Sequence, residues 1–526
     1  MRRTIALWAC AGLTAAAAVS GCGGGAGAAK PTVLNVSTVA PPDTFNPFAF
    51  GSEGLAHVYS AIYTPLVQTD DKNAIVGGVA RSWTLSKDGK TYTFKLRSGM
   101  RWSDGKPLTS ADVLWTFKTY LNADASIWVG IIGGVDRVSA PDAATFVVRL
   151  SSPNAAWLAQ VAGRQLPILP AHLLKGVPVA KLKDDPYFHR PTVGSGPYTF
   201  VRYQPGQFIE YKANPSWWGG TASFPKLFMK ILDPNVAVGQ LGTGEVQLVS
   251  PVAPQDAQQL KQDGKVMVTS RTGVAPDAIH LNNDSPLLKD ARVRRALILA
   301  LDRNKICQTV LQGYCAPEKD NVWLISPKWA LPAEGDIDPL DYDPAEAKAL
   351  LRQAGWKPGA TLRMLLIQGN PAYWKQALTV VQAQWKAVGV DMTIRAVAPA
   401  RIPDLFNKQR SMWDAFYAGG ADFSLDPDQV APYATCATAF PKGANSSHFC
   451  NKHLDALWAR GRETVGDAAR APIYHEAFAL MNKDPSSITM YWPNVTAAYR
   501  SQLRNVRFPA NTGQTFWNIG KWTWAG

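Results

Sequence analysis

Charge is scarce in this 526-residue chain: Asp, Glu, Lys and Arg together make up 18%, against about a quarter in an ordinary globular protein. Hydrophobic residues make up 46%, so the shortage of charge does not signal a disordered polar chain. Histidine and cysteine are also sparse, at 7 and 6 residues. No Gly-x-Ser-x-Gly elbow and no His-Glu-x-x-His pair occurs, which removes two readable hydrolase signatures. Ser223-Phe-Pro-Lys226 has the Ser-x-x-Lys spacing, but Pro225 disfavours the helix that would put Ser and Lys on one face, and no Lys-Thr-Gly accompanies it. Beyond the first 22 residues no run is long and apolar enough to cross a bilayer, which takes about 20 residues. The formal charge is +14, yet the basic residues are scattered, with only Arg292, Arg294 and Arg295 closely grouped. Without a basic stripe or a nucleic-acid motif, a nucleic-acid partner is excluded.

What the chain does hold is aromatic surface, with 19 Trp, 16 Tyr and 19 Phe, ample for lining a wide cleft. Its length allows two or three domains and a large core. Arg2 and Arg3 followed by the apolar run Ile5 to Val19 read as an export signal. Val19-Ser20-Gly21-Cys22 resembles the bacterial lipobox, in which the Cys takes lipid and becomes the new N-terminus. Gly23 to Ala29 then serve as a flexible tether, so residues 1–29 are the signal and leash of a soluble body. Cys10 leaves with the signal and Cys22 takes lipid, leaving Cys307, Cys315, Cys436 and Cys450. An even number in an exported chain predicts disulfides. Three connectivities are open, and the local pairs 307–315 and 436–450 are the simplest. His448-Phe-Cys450-Asn-Lys-His453 has metal-capable side chains, but no second cluster completes a site, so no metal is expected.

The richest stretch runs from Ser82 to Tyr120. Asp88-Gly89 is a turn signal, and Tyr92, Phe94 and Leu96 alternate with Thr91, Thr93 and Lys95 as in a half-buried strand. Ser103-Asp104-Gly105 turns again. Thr109 has the look of a helix cap, with Asp112 three residues on and Val113, Leu114 and Phe117 on one face. The wording of this run resembles the signature region of the family 5 solute-binding proteins, the oligopeptide- and dipeptide-binding subunits of ABC importers. The resemblance can be followed from about Val33 to Trp524. It implies an α/β, two-lobed periplasmic-binding-protein-like fold with mixed sheets flanked by helices, an extra subdomain and hinge strands between the lobes. The implied division is 30–66 plus 186–272 plus 488–526 as lobe I, 67–185 as the extra subdomain and 273–487 as lobe II.

Further landmarks fit that pattern. Val135 to Val138 and Thr145 to Leu150 flank Ala140-Pro141-Asp142 as a hairpin, and Tyr198 to Tyr211 is another, turning at Gln204-Pro205-Gly206. The segment Asp290 to Arg303 resembles the family's Val-Arg-Gln-Ala-Leu helix, and its charges read as a solvated face. Asp343-Pro344-Ala345-Glu346 is a helix start with Gly355 as the stop. Helix then strand recurs over Trp374 to Ala387 and Val390 to Val397.

The last third carries the candidate site. A strand at Trp413 to Tyr417 leads into Gly419-Gly420-Ala421-Asp422-Phe423 and Asp426-Pro427, similar to the family's Gly-Trp-x-Ala-Asp-Tyr segment. In peptide-binding members the Asp at the position of Asp422 meets the ligand's α-ammonium group, a charge-assisted contact. Gly420, Phe423, Gly419 and Phe416 are the accompanying candidates. Gly419 stands where the family carries Trp, and Phe416 where some oligopeptide binders carry Arg. The expectation is therefore a monomeric, non-enzymatic lipoprotein in the cell envelope, needing no cofactor. It would close on a peptide and hand it to a membrane permease. The alternatives are a non-peptide solute (a metal chelate, a haem-like macrocycle, a sugar or glycerol ester) and, less well supported by any motif, a secreted hydrolase.

Overall fold

The computed structural model describes residues 31–39, 44–48, 52–163, 166–323, 327–333, 335–369, 371–419 and 425–525. The strand–turn–helix unit forms as its spacing predicts. Strand Thr91–Leu96 buries Tyr92, Phe94 and Leu96, and Gly89 makes the turn before it at φ +67°. Helix Ser110–Tyr120 opens with a capping box: the Thr109 hydroxyl accepts from the Ala111 amide at 3.3 Å, and Asp112 Oδ2 accepts from the Thr109 amide at 2.9 Å. The unit belongs to a four-stranded antiparallel sheet, in the order Ala80–Leu85, Thr91–Leu96, Thr145–Leu150, Val135–Asp142. The first strand of the predicted 135–150 hairpin runs on to Asp142. Its carboxylate then makes the turn, accepting from the Ala144 amide at 2.8 Å.

Two larger sheets share one strand. The first half of the long strand Ser487–Arg500 pairs antiparallel with Asp277–Leu281. Its second half pairs with Val266–Thr272 and touches Leu248–Val249. Beyond these on one side lie Val33–Thr38, Lys226–Ile231 (parallel to each other) and the hairpin Tyr198–Gln204 with Phe208–Ala213. On the other lie Ala415–Gly419, Thr361–Ile367 and Asp391–Val397, the last three running parallel. Parallel strands need crossovers. Helix Ala372–Ala387 supplies the one between Thr361–Ile367 and Asp391–Val397, burying Trp374, Leu378, Val381 and Trp385.

Each sheet has its own apolar core. One gathers Leu34, Phe94, Phe117, Trp157, Tyr211 and Trp522, the other Ile279, Leu297, Leu362, Trp385, Tyr417 and Met490. The architecture is thus mixed α/β with two lobes hung on a common strand. Among the described residues no helix is long and apolar enough to cross a membrane.

The 290–303 segment differs from its sequence reading. The helix stops at Leu299, and Asp302 caps a second one, Arg303–Val310, by accepting from the Lys305 amide at 2.8 Å. Val293, Leu297, Ala300 and Leu301 are buried as expected. The charges are not all on a solvated face, however. Arg294 is buried, donating to the carbonyls of Pro485 and Lys289 at 2.9 Å each and pairing with Asp484. Arg303 is buried as well, bonded to the Lys319 carbonyl at 3.0 Å. Guanidinium groups tolerate this because carbonyl and carboxylate oxygens receive several of their N–H groups.

Of the three connectivities, the local one forms. Cys307 bonds Cys315 and Cys436 bonds Cys450, with Cα atoms 5.9 and 4.5 Å apart. The lipobox residue Cys22 lies outside the described residues.

Candidate functional site

Strand Asp277–Leu281 is buried on both faces. Its period of two sends Ile279 and Leu281 into a core and turns Ala278 and His280 toward a cavity. The neighbouring strand Ala415–Gly419 pairs Ala278 with Ala418 and His280 with Phe416, so the floor of the cavity is a cross-strand surface. His280 stacks on Phe416 with ring centroids 4.6 Å apart and 12° between planes, and meets Trp323 edge-on at 5.4 Å. Ile402 and Phe406, from the short helix Ile402–Asn407, form one wall. Phe440, Ala444 and Ser446 form another, from within the loop that the Cys436–Cys450 bond closes. The space these residues line is about 450 Å³, within the size range of small-molecule sites.

Both described members of the predicted ligand set, Phe416 and Gly419, line this cavity. Gly420, Asp422 and Phe423 lie outside the described residues. His280, Phe406, Phe440 and Trp323 were missed. The alternation of Ala278 and His280 with Ile279 and Leu281 was a usable signal for the first. The others come from distant segments that no local pattern connects.

Among the described residues, the charges near the cavity pair with one another. Arg410 donates to the carbonyls of Ser446 at 2.9 Å and Phe406 at 3.2 Å and to Asn282 Oδ1 at 2.6 Å, and it pairs with Asp284. Arg363 is held by Asp414 through Nε at 2.8 Å and Nη2 at 2.9 Å. Burial pushes the His280 imidazole down to about 4, so at neutral pH it is an uncharged ring.

On the opposite face of the same strand, at its hinge end, sits Asp277, 4% exposed. Burial pushes its carboxyl up to about 7, partly offset by Tyr373, Trp374, Tyr491 and Tyr417 around it. Its Oδ2 has no hydrogen-bond partner, and neither has Trp374 Nε1.

The segment that follows the candidate loop is clamped. Asp426 accepts from Arg470 Nη1 at 2.7 Å and Nη2 at 2.8 Å, and also from the Asp428 amide at 2.9 Å, capping a short 3₁₀ turn. Asp428 accepts from Arg462 Nε at 2.9 Å and Nη2 at 3.1 Å. Burial raises the Asp428 carboxyl to about 6, with the Arg462 charge pulling the other way. This clamp also meets the antiparallel subdomain. Leu425 packs against the first core, and the Ala155 amide donates to the Arg462 carbonyl at 3.0 Å.

The metal-capable run is dispersed: Cys450 is in a disulfide, His448 pairs with Asp284, and His453 reaches Glu476 at 2.8 Å. Among the described residues no group of three or more metal-ligating side chains converges.

A cavity on one lobe of a two-lobed α/β body, with a shared strand between the lobes, defines a solute-binding architecture. Residues 74–440 match the family described as bacterial extracellular solute-binding proteins, family 5 (middle), and the chain belongs to that family. A Brucella ovis protein named as an ABC transporter peptide-binding protein is 29% identical over 481 residues, covering 89% of this chain and 88% of its own. The dipeptide-binding protein of Escherichia coli K12 is 27% identical, covering 88% and 90%. The crystal structure of the ABC transporter substrate-binding protein CtaP from Listeria monocytogenes superposes with a TM-score of 0.83 at 24% identity, over 94% of this chain and all of that one (100%).

Proposed function

We propose that this protein is the substrate-capturing subunit of an ABC importer, and that it binds peptides between its lobes and releases them unchanged to a membrane permease. The observation that carries the reading is the placement of the cavity. It opens on the strand pair 277–281/415–419, directly beside the strand shared by both sheets, where a bound solute can report on the angle between lobes. Peptide-binding relatives matched along nearly nine-tenths of the chain support it. Ligand that touches both lobes shifts the population toward the closed form by its extra contacts.

In this reading lobe I is 30–66 with 186–272 and 488–526, the extra subdomain is 67–185, and lobe II is 273–487. Asp422 receives the peptide's ammonium group, beside Gly419, Gly420, Phe423 and Phe416. The test is a thermal melt of the purified protein with di- to octapeptides. A bound peptide at a hundred times its Kd stabilises the folded state by about 2.7 kcal/mol, which reads as a higher Tm. Asp422→Ala should weaken peptides with free N-termini by at least about tenfold and leave acetylated ones nearly unchanged. Equal losses would remove Asp422 from this role, and no Tm rise with any peptide would turn the assignment to a non-peptide solute.

The chain is exported and held at the outer face of the cytoplasmic membrane, as a monomer, by lipid on Cys22. Cys22→Ser should move it from the membrane fraction to the soluble one on cell fractionation. Retention in the membrane would overturn the anchor.

A further inference from the structure

We infer that the lobe II cavity selects a bulky, uncharged, aromatic side chain of the bound peptide and rejects carboxylates. This rests on the peptide reading above and narrows it to a substrate class. The cavity offers ring faces, and among the described residues the charges beside it are already paired. His280 and Phe416 lie as parallel plates on its floor, with Trp323 edge-on to His280. Phe406 packs beside Phe416 at 4.7 Å and meets Phe440 edge-on at 6.0 Å. An inserted ring can continue this arrangement with offset or edge contacts, the geometries aromatic pairs favour.

The charges argue the same way. Arg410 is the guanidinium nearest the Ser446 wall, and its N–H groups are committed to Asp284, Asn282 and two carbonyls. Arg363 is committed to Asp414. His280 is buried among rings and lines the cavity, and that burial disfavours its charged form. A carboxylate entering here would lose its water and gain no counter-charge from the described residues. The volume, about 450 Å³, admits the largest natural side chains, and the disulfide across 436–450 fixes the loop that carries the wall of Phe440, Ala444 and Ser446.

The experiment uses the purified full chain and alanine-based peptides of whichever length gives the largest thermal shift, each carrying one Phe or one Glu at each position in turn. Isothermal titration should find one position where Phe tightens binding about ten- to a hundredfold over Ala, and where Glu binds more weakly than Ala. Phe416→Arg should reverse that order at the same position. Should Phe416→Arg not fold, the wild-type panel decides alone. If Phe, Glu and Ala peptides bind within about threefold of one another at every position, the selection is wrong while the peptide reading stands. If no peptide of any composition binds, the peptide reading falls and the selection falls with it.

Discussion

Arg470→Ala is expected to destabilise the protein by about 3–5 kcal/mol, the cost of removing one partner of a buried ion pair. Arg470 and Asp426 are 3% and 7% exposed. Their two parallel N–H···O contacts at 2.7 and 2.8 Å are joined by a third, from Arg470 Nη2 to the Tyr474 hydroxyl at 2.9 Å. Without the guanidinium, Asp426 keeps its amide bond to the 3₁₀ turn but loses its counter-charge, next to a second buried carboxylate at Asp428. Leu425 would then lose its fixed seat against the other lobe, so ligand affinity should fall along with stability. Urea denaturation followed by tryptophan fluorescence measures the first loss. A loss under about 1 kcal/mol, the value of an exposed pair, would show that the clamp is not what holds this segment. Pairing Arg470→Leu with Asp426→Leu should recover part of the loss, because two apolar groups leave no orphaned charge.

Asp277→Asn is expected to act in the other direction and to depend on pH. The folded-state carboxyl sits at about 7 against an ordinary 3.8, so the native state binds this proton more tightly than the unfolded chain. Below pH 3.8 the group costs nothing. Between there and about 7 the native state loses about 1.4 kcal/mol per pH unit, and above 7 the loss levels off at about 4 kcal/mol. The amide does not titrate, so Asp277→Asn should gain most of that stability above pH 7 and little at pH 4. His57 and His280, both held near 4 by burial, act oppositely, losing stability as pH falls below 6.5. The informative quantity is therefore the difference between variant and wild type, read from urea midpoints across pH 4–8. A difference that does not change with pH would mean that Asp277 keeps an ordinary carboxyl in the folded protein.

The sequence was most legible where one short segment contained its own explanation. The capping box at Thr109 and Asp112, the Asp343–Pro344 start and the alternation around Phe94 are local, and each formed as read. Asp302 misled because a residue that ends one helix pattern can equally cap the next. Arg294 misled because helix periodicity says which face a residue takes, and Asp484 and Pro485, nearly two hundred residues away, decide what covers it. The site shows the same division. Phe416 and Gly419 lie on a strand whose neighbours in sequence identify it. The Phe406, Phe440 and Trp323 walls arrive through three separate excursions of the chain.

The strand Ser487–Arg500 and the tail beyond it carry a consequence for how the molecule comes into being. Val495, Ala497, Leu503, Phe516 and Trp522 complete the same core that Leu34 and Val36 begin. That core is therefore closed only when the C-terminal segment 495–522 takes its place in it.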